Sequence, residues 1–302
     1  MNNVDYKSFL ISIALAIALV VIPTGGVFSI EKIKRTEPSK VKIGLNCYSF
    51  NQPLMAKTMT VEEMFRISAS VGFEAADLTG YYFSTYPIVP TDEEIYRYKK
   101  CAFLLGLDIS GTGVRNDFTL ADPEKRKLEV QLVKDWIIVA SKLGAPVIRV
   151  FAGKDVPVGF TRKQVVEWMG KDLQECADFG AQHGVMVGIQ NHNDFLKTAV
   201  DVEEIMEQVK SDWFGLILDI GSFRTTDNPY KEIEQVVPYA INWQIKETVF
   251  INNVETKTDL KKIADILKNS GYRGYIPIET LGAGDPTVKV TRFYGEVKEA
   301  IR

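Results

Sequence analysis

Histidine is scarce in this chain of 302 residues, which has only His183 and His192, so an imidazole-rich zinc site has almost nothing to be built from. Cysteine is scarce as well. Cys47, Cys101 and Cys176 stand far apart, with no Cys-x-x-Cys pair and no disulfide framework, and each reads as a small buried hydrophobe rather than a nucleophile. Positive charge is not in excess: the formal net charge is -3, and no basic cluster invites nucleic acid, which argues against a DNA-repair nuclease. No glycine-rich dinucleotide fingerprint opens the first helix, and no internal repeat, low-complexity segment or second domain interrupts the chain.

What is present begins with an apolar run from Phe9 to Ile22, preceded by Lys7 and followed by small residues at Thr24 to Gly26 and at Ser29. Residues 1–29 therefore read as a signal peptide cleaved after Gly26 or Ser29, or as an uncleaved membrane anchor. No cysteine near the end of the run supports a lipoprotein. Under either reading the protein is exported, as a periplasmic or membrane-anchored protein facing outside the cytoplasm. Residues 30–40 read as a polar linker.

The remaining residues, 41–302, alternate apolar strand-like runs with amphipathic helical ones. Strands are expected at Val41–Cys47, Glu74–Leu78, Leu107–Ser110, Val147–Phe151, Val185–Gln190, Gly215–Asp219, Ala240–Lys246 and Tyr275–Glu279. Helices are expected near Val61–Val71, Asp92–Leu105, Pro123–Leu143, Thr161–His183, Ala199–Lys210, Tyr230–Val237, Asp259–Asn269 and Pro286–Ile301. Thr60 before Val61-Glu62-Glu63 has the form of a capping box, and Gly72, Gly106, Gly144, Gly184 and Gly271 each follow a helix as a C-cap. Eight βα units wound in one sense close into a (β/α)8 TIM barrel in a single domain.

Several strands pass abruptly from apolar to polar at their carboxyl ends, where parallel α/β sheets bind ligands. Val185-Met186-Val187-Gly188-Ile189 leads into Gln190-Asn191-His192, and comparable runs end in Asp219, Gln244 and Glu279. Gln190, Asp219, Gln244 and Glu279 would aim four oxygen ligands at one point, a set suited to a hard divalent cation, Mn²⁺ or Mg²⁺. Because side chains alternate along a strand, His192 shares the face of Gln190, and Lys246 that of Gln244. Asp77 and Glu247 are nearby carboxylates of the same type. Arg149 lies inside a strand, where a guanidinium has to meet a carboxylate or a ligand. Asn46 and the aromatics Tyr81 and Tyr82 stand at the tips of the first two strands, able to face a pyranose ring or to pack on a helix. Arg115, among small residues after the third strand, could bind an anion or turn the chain.

These motifs, Gly188-Ile189-Gln190-Asn191-His192, Asp219-Ile220-Gly221-Ser222, Gln244-Ile245-Lys246-Glu247 and Ile278-Glu279, resemble the xylose isomerase-like TIM barrels, the sugar phosphate isomerases and epimerases, and the resemblance runs from Val41 to Arg302. It implies a divalent metal held by Glu, Asp, His and Glu at the strand tips. Here Asp219 and Glu279 match the ligand types, His192 and Lys246 match accessory positions, and Gln190 and Gln244 depart. Ser222 stands for an accessory His, and Glu247 for an Asp among the substrate contacts.

The departures have chemical weight. Two amides in place of a carboxylate and an imidazole weaken metal affinity. Gln190 cannot act as a base, so Glu279 alone keeps that role, with Asp219, His192 or Lys246 as acids. The expectation is a sugar isomerase/epimerase-like enzyme acting on a sugar or keto-sugar by metal-assisted proton abstraction beside a carbonyl. The alternatives are a 3-keto-glycoside lyase or hydratase working by β-elimination, and a catalytically weakened carbohydrate-binding barrel. The expected partner is a small carbohydrate, not nucleic acid; a membrane tether through the N-terminus and a homo-oligomer are both compatible with the chain.

Overall fold

The computed structural model describes residue 33 and residues 35–302. The expected leader, residues 1–29, lies outside the described residues. Among them no helix is long and apolar enough to cross a membrane.

The chain opens with strand β1 (Lys40–Asn46), helices α1 (Asn51–Met55) and α2 (Val61–Val71), then β2 (Ala75–Thr79), α3 (Asp92–Leu104), β3 (Asp108–Gly113), α4 (Pro123–Leu143) and β4 (Val147–Phe151). It continues through α5 (Arg162–His183), β5 (Met186–Gln190), α6 (Ala199–Met206), β6 (Phe214–Asp219), α7 (Pro229–Val236) and β7 (Ala240–Lys246). A hairpin of β8 (Thr248–Ile251) and β9 (Val254–Lys257) precedes α8 (Leu260–Ser270), β10 (Arg273–Glu279) and α9 (Pro286–Ala300).

Eight strands form a closed parallel barrel in the order β1-β10-β7-β6-β5-β4-β3-β2. The ring closes because β1 pairs with β10 on one side and with β2 on the other. The strands are largely buried on both faces, as they must be between a filled barrel interior and a shell of helices. All their carboxyl ends open on the same face, so Asn46, Thr79, Gln190, Asp219, Lys246 and Glu279 converge there.

Local sequence sets most element ends. Thr60 with Glu63, Thr161 with Gln164 and Thr198 with Asp201 form reciprocal capping boxes, which satisfy orphan donors in the first turn. The helix expected to reach Lys210 stops at Met206, and the strand expected to end at Ser110 runs on to Gly113. No periodicity in the sequence announces the hairpin. It turns on Asn252 and Asn253, both at positive φ, and Arg224 lies over the Phe250 ring, 4.4 Å from its centroid.

The described part of the linker is docked beneath the barrel. Arg35 donates to the carbonyls of Val237 at 3.1 Å and Ala240 at 2.6 Å, at the end opposite the strand tips. Cys47 and Cys176 are buried and Cys101 is partly so, all free thiols, and burial raises the pKa of each.

Candidate active site at the mouth of the barrel

A cavity of about 460 Å³ opens at the strand tips, lined among others by Asn46, Tyr81, Arg115, Arg149, Gln190, His192, Gln244, Lys246 and Glu279. Asp219, fully buried, lies just behind this wall. Of the four strand-tip residues expected to meet, Gln190 joins Asp219 and Gln244, while Asp219 and Glu279 meet on an ammonium. Lys246 Nζ stands 3.1 Å from Asp219 Oδ2 and 2.5 Å from Glu279 Oε2. Its contact with Glu279 is an ion pair without hydrogen-bond alignment, since Oε2 has no hydrogen-bonding partner.

Asp219, Gln244 and Glu279 each already meet a donor or a cation within the site. Gln190 turns its amide nitrogen inward, donating to Asp219 Oδ2 at 2.8 Å and to Gln244 Oε1 at 2.9 Å. Asp219 Oδ1 accepts from the Gly221 N–H at 3.0 Å. Among the described residues no group of three or more His, Cys, Asp or Glu side chains could hold a metal. With two carboxylates, both against an ammonium, and an amide N–H pointing where an oxygen is needed, this set does not fit Mn²⁺ or Mg²⁺, which take several oxygen ligands.

Burial works against the charge on Lys246, but Asp219 and Glu279 outweigh it and raise its pKa above the ordinary lysine value. The lysine is therefore a fixed cation, not a base or nucleophile at neutral pH. His192 opens to the cavity with its ring 4.8 Å from that of Phe151. Protein walls strip part of its hydration, and this, with Lys246, Arg149 and Arg224 set against Asp219, lowers its pKa. The imidazole is neutral at physiological pH.

Asn191 clamps the site from a position to which the strand-tip pattern gives no role. Its side chain accepts from the Asp219 N–H and donates to the Asp219 carbonyl, both at 2.9 Å, which locks the tip of β6 to that of β5. Its place beside Gln190 and its high polarity in an apolar run were the available signals. Asp117, Glu129, Lys154 and Asp194 also line the cavity; Glu129 comes from α4, and the other three from loops, where no periodicity marks a facing.

Two expected site residues turn elsewhere. Glu247 pairs with Arg292 and, at 3.6 Å, with Lys289, both on α9, because it is one residue past the inward-facing Lys246. Tyr82 donates to Asn51 Oδ1 at 3.2 Å and is packed beside the cavity rather than on its wall. Ser222 is buried.

Comparison with known proteins agrees with this architecture. Residues 65–294 match the family model described as xylose isomerase-like TIM barrel. The chain belongs to that family. Among solved structures, a D-tagatose 3-epimerase-like protein is similar at TM-score 0.70 and 18% identity over 86% of this chain and 98% of that one. D-psicose 3-epimerase from Clostridium cellulolyticum H10 gives 0.71 and 17% over 86% and 99%, and 3-keto-D-glucoside 4-epimerase from E. coli 0.69 and 16% over 86% and 100%. At such identities the likeness is one of fold. An uncharacterized protein of Methanocaldococcus jannaschii is 26% identical over 175 residues, 53% of this chain but only 59% of that protein. Within the xylose isomerase-like barrels, then, this member meets its strand-tip carboxylates with a lysine.

Proposed function

We infer that this xylose isomerase-like barrel is an enzyme that moves a proton on a sugar or keto-sugar at the carbon beside a carbonyl, with Lys246 supplying positive charge in the place expected for a metal. The observation that carries this reading is the Glu279–Lys246–Asp219 ion triad, of which Glu279 and Lys246 line the cavity. Glu279 takes the proton from carbon. As negative charge leaves its carboxylate for the developing enolate oxygen, the Lys246 ammonium stabilises that oxygen, while Asp219 holds the ammonium in place. The same carboxyl group returns the proton to the neighbouring carbon, giving isomerisation, or to the same carbon. Neutral His192 can relay a proton between sugar oxygens. The sugar epimerases among the structural neighbours support the substrate class.

Gln190, standing where the family resemblance implies a second carboxylate, favours a second reading, β-elimination on a 3-keto-glycoside, since elimination needs only one base. In both cases the leader reading puts the reaction outside the cytoplasm, which cell fractionation would check.

The purified protein, incubated in D₂O with a chelator and a panel of aldoses, ketoses and 3-keto-glycosides, should incorporate deuterium beside the carbonyl. Glu279→Gln is expected to slow this by about 10²-fold or more, and Lys246→Met by a similar factor. Exchange that the chelator abolishes and Mn²⁺ restores would sink the lysine's role. Aglycone release would assign the lyase, and sugar binding without any exchange the weakened barrel.

A further inference from the structure

The mouth of the barrel is chemically divided. The tips of β5, β6, β7 and β10 hold the ion triad and its amides, whereas the tips of β2, β3 and β4 present Arg149 to the cavity, with Arg115 and Lys154 beside it on loops. Arg149 is only 7% exposed. A guanidinium buried so far is ordinarily matched to a carboxylate, yet its hydrogen bonds all go to neutral oxygens. Nη1 donates to the Val114 carbonyl at 3.1 Å, and Nη1 and Nη2 converge on the single Tyr81 phenol at 3.4 and 3.3 Å. Asp77 acts on it only through space.

The Nη1–Nη2 edge is one that a carboxylate engages with both oxygens. Here one phenol oxygen occupies it, at distances long for such bonds. The rest of the group is fixed. Its central carbon lies 4.1 Å from the Phe151 ring centroid, and it packs against Gly113, where a Cβ would come within 2.8 Å of Nε and Nη2. Only glycine leaves room for the guanidinium there.

We propose that Arg149, assisted by Arg115 and Lys154, binds a carboxylate on the sugar, making the substrate a sugar acid whose carbonyl end lies at Lys246 and Glu279. This deepens the proposed function and rests on its reading of the cavity as a sugar site. A carboxylate fits better than a phosphate, because the planar fork matches a planar anion and Asp117, Glu129 and Asp194 line the same cavity and repel a dianion. Its volume of about 460 Å³ accommodates a monosaccharide.

The test is calorimetric titration of the purified protein at low salt with D-glucuronate, D-galacturonate, D-glucose and D-glucose 6-phosphate. At least one uronate should bind about tenfold or more tighter than glucose. Arg149→Gln should remove that preference. Arg115→Gln, at the exposed rim where folding is not at stake, should weaken uronate binding severalfold, as should added salt. Glucose or glucose 6-phosphate binding as tightly as the uronates, a preference surviving both substitutions, or no uronate binding at millimolar concentration overturns the proposal. The titrations repeated with Glu279→Gln separate the two readings: uronate preference without deuterium exchange in the wild type counts against the enzyme alone, and exchange confined to neutral sugars counts against the carboxylate site alone.

Discussion

Asp77, on β2 below the cavity, shows at the scale of one residue how burial writes itself into pH dependence. Burial raises its pKa to about 6, against the pull of Arg149 and of the Asn242 amide that donates to it, with Glu279 adding to the rise. An acid whose folded pKa lies above its unfolded value takes up a proton on folding, so it costs stability above about pH 6 and nothing below about pH 4. Asp77→Asn is therefore expected to stabilise the protein by on the order of 1–3 kcal/mol at pH 7.5 and to be neutral at pH 4, as read by urea melts at both values. Residues on strand tips were legible in the sequence because alternation fixes their face: Gln190, His192, Gln244, Lys246 and Glu279 all line the cavity. Glu247 turns away because it follows the inward-facing Lys246 by one residue, and Tyr82 because it stands three residues past the end of β2, where alternation no longer fixes a facing. The inward turn of the Gln190 amide nitrogen was not legible either, since one side chain carries both a donor and an acceptor.

At the scale of the element, two helical glycines separate intrinsic propensity from packing. Alanine is the better helix former by about 1 kcal/mol, and a Cβ added at Gly295 in α9 would meet nothing within 4 Å, so Gly295→Ala should raise stability by up to that amount. Gly180 in α5 differs: a Cβ there would lie 2.4 Å from the Val185 carbonyl oxygen, and backbone has to move. Overpacking of this kind costs about 1–3 kcal/mol, which outweighs the propensity gain, so Gly180→Ala should lower the melting temperature. Helix starts and stops were readable from capping boxes and glycines because they depend on neighbours in sequence. The β8–β9 hairpin was not, because its pairing, and the burial of Val249 beneath it, are recognisable only once the β6 and β7 tips supply the surface it covers.

For the whole molecule, the docked linker fixes where the chain enters: beneath the barrel, away from the site. Arg35→Ala removes two charged hydrogen bonds to carbonyls and a guanidinium lying 5.1 Å from the Tyr272 ring centroid, and should cost roughly 1–3 kcal/mol of stability without altering sugar binding, as thermal melts beside calorimetry would show. The alternation of eight apolar strands with eight amphipathic helices determined the barrel from sequence alone, because each unit can bury its apolar face only by closing with the others. It also determined which side chains gather at the mouth, through the two-residue period of a strand. What meets them there was decided by the tertiary structure. Whether Asp219 and Glu279 share a metal or the Lys246 ammonium depends on side-chain reach and amide orientation across β5, β6, β7 and β10, strands far apart in sequence, and no local pattern encodes those distances.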